Sequence, residues 1–406
     1  MPTEVTLKHT RCITPGGESG ESLSILDGRV AAEGVSDAWT LDLKEHLIFP
    51  GLVNAHDHLH RNNIPPLPQS APFANSYAWM EAFQPYFCEP EVARACAVPA
   101  PLRYWQGGWK NLLCGATTVA HHDPWHPVLD DPDFPVRLLR HYGWSHSLGL
   151  SPHSALQKRE RAKYAVGCYG PPVAESFAAT PPEEPWFIHL AEGTDAIAAE
   201  ELAHLEALGC LAANTRLIHG VGLREADREK VIAHGAGVIW CPGSNLSLFG
   251  QTLDPRPLFE AGCLALGTDS RLTGARDLLD ELCIAAAESD LGPMELLQLV
   301  TACGSRLLRM PEVGGLAPGQ AADLLVMGYP GGDPQRALLG LRRADIRAVV
   351  RAGKPAIADP DFADWFAYCQ VEAIPVRLDG RPKLCVAALL GTPGSAALEP
   401  GLEIEG

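Results

Sequence analysis

The sequence lacks any long hydrophobic run: none of its apolar stretches approaches the ~20 residues that a membrane helix needs. It lacks C-x-x-C pairs as well. Its 12 cysteines are scattered, and a chain this long has core enough to do without disulfide staples. They read as reduced thiols, which leads us to expect a cytoplasmic protein. Positive charge is scarce: 32 Lys and Arg stand against 49 Asp and Glu, a formal net charge of −17. Such a surface repels phosphate backbones and anionic lipid headgroups, so neither nucleic acid nor membrane is an expected partner. The N-terminus shows no basic region followed by an apolar run, so no secretory signal is expected.

What is present is a large apolar fraction, 46% of 406 residues. That excludes a disordered chain. Residues 2–47 hold short strand-like runs broken by turn signals at Pro15-Gly16-Gly17 and Asp27-Gly28. From about Ile48 short apolar runs alternate with helical periodicity, the signature of parallel βα units. Seven strands are expected: Phe49–Ala55, Thr117–Ala120, Trp144–Leu150, Trp186–Leu190, Arg216–His219, Gly237–Trp240 and Leu264–Gly267. The missing fourth strand of eight is placed at Tyr164–Cys168. Helical periodicity marks Arg224–His234 and Arg276–Ser289. After about Arg309 strands and turns return. The expected fold class is therefore α/β: a (β/α)8 TIM-like barrel over residues 49–311, inserted in a small β-sandwich formed by residues 1–48 and 312–390. Residues 391–406 are expected to be a mobile tail.

Chemistry in such a barrel gathers at the C-terminal ends of its strands. His56 and His58 close the first strand. Residues two apart on a strand share a face, so this pair aims two imidazoles at one point, as metal chelation requires. His189 ends Trp186-Phe187-Ile188, His219 ends Arg216-Leu217-Ile218, and Asp269 follows Leu266-Gly267-Thr268. Glu192, three residues past His189, is placed to move protons without being a ligand. Taken alone, a Glu opening a helix is equally explained by the helix dipole. With 15 histidines in the chain, chance placements are expected too. His121, His122, His126 and His153 are taken as ordinary core or surface residues, and His60 as lying outside the ligand set.

These motifs, in order, are Pro50-Gly-Leu-Val-Asn-Ala-His56-x-His58, His189-Leu-Ala-Glu192, His219-Gly220, Cys241-Pro-Gly-Ser-Asn245-Leu and Gly267-Thr-Asp269-Ser270. Together they resemble those of the amidohydrolase superfamily, and most of all its cytosine-deaminase-like and chlorohydrolase-like branch. Gly315-Leu316, Pro318-Gly319 and Ala322-Asp323-Leu324 resemble that family's return into the β-sandwich, so the resemblance spans about residues 20–355. It implies one divalent metal ion, zinc or iron, on His56, His58, His189 and Asp269. It also implies proton transfer by Glu192 and Asp269, polarisation of the attacked group by His219, and shaping of the site by Asn245 and Ser270. The implied activity is hydrolysis of C–N bonds in a small-molecule substrate, with deamination of a small cyclic amine first and lactam or amide ring opening as the alternative. A non-catalytic barrel scaffold is a third reading.

A two-metal amidase of this superfamily would use a modified lysine on the fourth strand. The only lysines between His121 and His189 are Lys158 and Lys163, in a charged run that reads as exposed. A cytidine-deaminase-type zinc site expects P-C-x-x-C, which the chain lacks. For substrate recognition the candidates are Tyr77 and Trp79 in the aromatic loop from His60 to Phe87, Trp125 after the second strand, Asn245, and Arg271, whose guanidinium could pair with a carboxylate or ring oxygen. For the loop, plain packing over the barrel mouth is an equal alternative; for Arg271 a surface ion pair is the stronger one. Homo-oligomer formation is left open.

Overall fold

The computed structural model describes residues 4–32, 38–151, 168–329, 331–390 and 394–405. Runs such as Gly237–Trp240 and Leu264–Leu266, buried at every position, form parallel strands because both faces of such a strand are covered. The described residues contain β1 (Leu52–Asn54), β2 (Ala116–Val119), β3 (Arg137–Leu138), β4 (Gly143–Ser147), β5 (Trp186–Leu190), β6 (Thr215–His219), β7 (Gly237–Trp240) and β8 (Leu264–Leu266). β1, β2 and β3 make one parallel sheet, and β4 to β8 another in sequential order. The Ala55 amide donates to the Leu266 carbonyl at 3.0 Å, which ties the end of β1 to β8.

One expectation about strand order is corrected. The strand missing from the seven is the two-residue β3, and Trp144 belongs to the fourth strand. Arg137–Leu138 is too short to show as a run. The expected position at Tyr164–Cys168 falls, up to residue 167, outside the described residues, as do Lys158, Lys163 and His153. The expected helices appear as Glu225–Ala233 and Leu278–Ala287. Three more lie between β1 and β2: α1 (Ser76–Tyr86), α2 (Pro90–Ala97) and α3 (Ala100–Leu113). The molecule is thus of mixed α/β class.

Strands from both ends of the chain share one eleven-stranded sheet. Trp39–Pro50 runs parallel to Glu4–Thr14 and antiparallel to Leu324–Met327. A core of its own draws on both ends, with Val5, Leu7 and Ile25 packing with Leu324, Val350 and Trp365. Gly51 carries the chain from this sheet into β1. A Cβ there would collide with Thr117 Oγ1 and come within 2.9 Å of Asp323 Cβ, so a side chain at this crossing would force the two sheets apart.

Residues 394–405 do not behave as the expected mobile tail. Leu402–Ile404 pairs with Ala373–Leu378, and Gln106 of α3 donates to the Leu398 carbonyl at 2.8 Å. Glu399 is buried, with Arg271 Nη1 at 2.7 Å and Arg343 Nη1 at 2.5 Å. A buried carboxylate between two guanidiniums fixes a segment whose Gly, Pro and Ala content suggests freedom.

Candidate metal centre and active site

Neutral imidazoles with free lone pairs are what a metal site needs, and the local structure prepares several. His189 Nδ1 lies 3.0 Å from the His146 carbonyl, to which it can only donate. Its Nε2 is therefore left as an acceptor. His58 Nδ1 donates to the buried Asp123 carboxylate, the partner that orients a metal-ligating histidine and raises its basicity. The two Nε2 atoms then face each other at 3.3 Å. That separation matches the edge of a tetrahedron with metal–nitrogen bonds of about 2.0–2.1 Å. Burial, reinforced by the surrounding imidazoles, holds His56 and His189 far below the usual histidine range and keeps them neutral. Both ring nitrogens of His56 are buried and have no hydrogen-bond partner among the described residues. Its Cα lies against β8, where Gly267 is required: a Cβ there would stand 2.7 Å from His56 Cβ.

Asp269 completes this wall. Its Oδ1 is 3.6 Å from His58 Nε2 and 3.8 Å from His56 Nε2. Ser270 N donates to Oδ1 at 2.7 Å, while Ser244 Oγ and Thr273 Oγ1 donate to Oδ2 at 2.9 and 2.7 Å. Burial works against its charge, but His58, His219 and these donors outweigh it, and the carboxyl sits below its usual range. His219 and Asp269 both have left-handed backbones, with φ of 75° and 52°. Such conformations cost a non-glycine residue about 1–3 kcal/mol and gather at functional sites.

His219 Nδ1 faces Asn245 Oδ1 at 2.9 Å. The amide's orientation is set by Asn245 Nδ2, which donates to the His219 carbonyl at 3.5 Å, an atom that can only accept, and to Thr252 Oγ1 at 3.1 Å. His219 Nε2 lies 3.5 Å from Glu192 Oε1 and 4.0 Å from Asp269 Oδ2. Burial pushes the Glu192 carboxyl up; the Asp269 charge adds to this and His219 opposes it. The donor set fits a divalent cation: orphaned imidazole nitrogens and an ionised carboxylate converge, and the nearest ligand atoms of His56, His219 and Asp269 lie within 4.8 Å of one another.

The expected residues thus meet at one inner cavity of about 20 Å³, lined by His58, His189, Glu192, His219, Asp269 and Ser270 among others. An outer chamber of about 600 Å³ shares Arg61, Trp79, Met80, His146 and Leu272 with it. Trp79 is therefore at the junction. The other recognition candidates are elsewhere. Tyr77 is buried with Leu150 and Ile197, its hydroxyl 2.5 Å from Glu201 and 2.8 Å from the Gly149 amide, so it anchors α1. Trp125 Nε1 donates to Asp130 at 3.0 Å and Arg140 covers its ring. Arg271 is taken by Glu399 through two parallel bonds. Asn245 acts through His219.

Among the residues at the site that were not singled out from sequence for it are Arg61, Met80, His122 and His146. His146 ends β4, and the strand-end rule applied to Trp144-Ser145-His146 would have found it. Burial pushes it down to about 3. His122 lies three residues past β2 and its ring joins the His56, His58 and His189 group. His60 lies apart, with His121 and Asp123, and His126 accepts the Val128 amide.

With this geometry in view, comparison with known proteins is informative. Residues 184–356 match the amidohydrolase family. A 5-methylthioadenosine/S-adenosylhomocysteine deaminase of Nitratidesulfovibrio vulgaris is 24% identical, over 75% of this chain and 78% of its own. A triazine hydrolase variant superposes with a TM-score of 0.69 at 20% identity, covering 90% of this chain and 99% of that one. An adenosine deaminase of Xanthomonas campestris with bound zinc gives 0.67 at 19% identity, covering 90% and 97%. At such identities the structural matches speak for the fold alone, and the family match covers residues 184–356 of the chain.

Proposed function

We propose that the protein is a metal-dependent hydrolase of C–N bonds that deaminates a small heterocyclic amine. The observation that carries this reading is Glu192, a buried carboxyl pushed upward, 3.5 Å from His219 and across the inner cavity from His58, His189 and Asp269. His56, His58, His189 and Asp269 would hold a single divalent ion, zinc or iron, which would supply Lewis acidity and lower the pKa of water to roughly 7. Asp269 is ionised and accepts the proton of the attacking water. Glu192, whose carboxyl burial pushes upward, is placed to hand a proton to the leaving nitrogen. His219 has its Nδ1–H committed to Asn245, so its Nε2, 3.5 Å from Glu192 and 4.0 Å from Asp269, is the atom that faces the attacked group. Trp79 offers a flat apolar face and Arg61 a cation at the mouth, which suits a ring with one polar edge. The relatives named as deaminases support the reaction type.

The finer architecture we propose is a closed barrel of β1 to β8 over residues 49–311, with residues 1–48 and 312–390 as a composite β-sandwich. The Ala55–Leu266 hydrogen bond and the joint sheet support it. The test is a screen for ammonia release by zinc- and iron-loaded protein over amino-purines, pyrimidines, triazines and pterins. We expect release from at least one class, abolished by Glu192→Gln. Ring opening without ammonia would assign lactam or amide hydrolysis instead. A folded protein with neither turnover nor stoichiometric metal would sink the enzymatic reading and leave the scaffold.

A further inference from the structure

His122 is fully enclosed, and neither of its ring nitrogens has a hydrogen-bond partner among the described residues. Its ring stacks on His56 at 4.8 Å between centroids and lies parallel to Phe187 at 5.8 Å; Trp144 is 6.0 Å away. Phe187 and Trp144 wall off one side with carbon. On the other side are His58 at 5.3 Å and His189 at 5.0 Å. One ligand atom from each of His56, His58, His122 and His189 falls within a set whose members are all within 4.8 Å of one another. An imidazole stranded this way keeps the full desolvation cost of each unmet polar atom. A cation shared with its three neighbours would supply the missing partner.

We propose that His122 is a further ligand of the metal ion, so that the chain holds its cation with four imidazoles and the Asp269 carboxylate arranged around one point. This rests on the metal-dependent reading above. It makes the site a nitrogen-rich one, suited to zinc and the later first-row divalent ions over magnesium or calcium. It also makes the grip redundant: with four imidazoles present, losing the carboxylate weakens the hold without abolishing it.

The experiment measures metal content and affinity by competition with a chelator, and the absorption spectrum of the cobalt(II)-loaded protein. His122→Phe keeps the ring and removes the nitrogens. It should lower affinity by at least the roughly 10–100-fold that losing an outer partner of a ligand costs, and should alter the cobalt bands. His126→Phe, outside the group, should do neither. Asp269→Ala should still bind one equivalent, and Asp269→Ala with His122→Phe should bind none. X-ray absorption of the zinc-loaded unaltered protein should show four imidazoles, a readout that needs no variant to fold. If His122→Phe binds as tightly with an unchanged cobalt spectrum, or absorption shows three imidazoles, the inference is overturned while the metal-dependent reading stands. Unaltered protein that takes up no metal overturns both.

Discussion

Lys110 is fully buried in α3, and replacing it by methionine probes what holds Asp269 in its left-handed backbone. Its Nζ lies 3.1 Å from Asp57 Oδ2, 3.0 Å from Thr268 Oγ1 and 2.9 Å from the Asp269 carbonyl. Methionine matches the length and removes all three contacts. Breaking a buried ion pair from one side costs about 3–5 kcal/mol, mostly the uncompensated charge left behind. Asp57 keeps Asn111 Nδ2 at 2.8 Å and Asn62 Nδ2 at 3.1 Å, and Thr268 Oγ1 keeps Asn54 Nδ2 at 2.9 Å. The loss should therefore fall at the low end, about 3 kcal/mol, with weaker metal retention because the Asp269 carbonyl is no longer pinned. Urea unfolding at unchanged slope measures the first effect and chelator competition the second. Adding Asp57→Asn removes the stranded charge, so the double variant should be more stable than Lys110→Met alone. A single-variant loss under about 0.5 kcal/mol, the ordinary value for a surface site, would refute the argument, as would a double variant that is strictly additive.

Other outcomes are equally specific. Glu192→Gln should keep the metal and lose roughly 10²–10⁴-fold in turnover; near-full turnover on the true substrate would remove its proton-carrying role. Trp79→Ala should raise KM and leave metal content alone, and Arg61→Met should raise KM most for substrates with an oxo or carboxylate edge; steady-state kinetics on paired substrates decides both. Burial pushes Glu281 from 4.5 to about 8, so the folded chain keeps a proton there that the unfolded chain releases above about 4.5. Its contribution to stability should fall as pH rises through that window and level off above about 8. Glu281→Gln should flatten the slope, which unfolding free energies measured across the window will show.

The residues of the candidate metal centre were legible because they obey a local rule: a histidine or carboxylate soon after a buried apolar run points to the sheet's C-terminal end. His56, His58, His189, His219 and Asp269 all do so. Where the run is absent, as at Arg137–Leu138, the strand itself was missed. Orientation was less legible, because it is set by partners far away in sequence. Tyr77 turns toward Glu201, Arg271 toward Glu399 and Trp125 toward Asp130. His122 was set aside because a single histidine after Val119-Ala120-His121 is usually unremarkable. Only the packing of Phe187 and Trp144 behind it shows that its nitrogens have nowhere else to turn.

The inner cavity of about 20 Å³ has room for a water and none for an aromatic ring. Trp79 and Met80 stand between it and the outer chamber, both carried by α1, and α1 is not loosely held. Its start is tied by Asn75 to Asp195 at 2.7 Å and by the Ser76 amide to the Glu192 carbonyl at 2.9 Å. The second of these ties runs through the backbone of Glu192 itself. Under the proposed function, a ring that reaches the inner cavity would do so only when α1 shifts, and the observed on-rate should then be low.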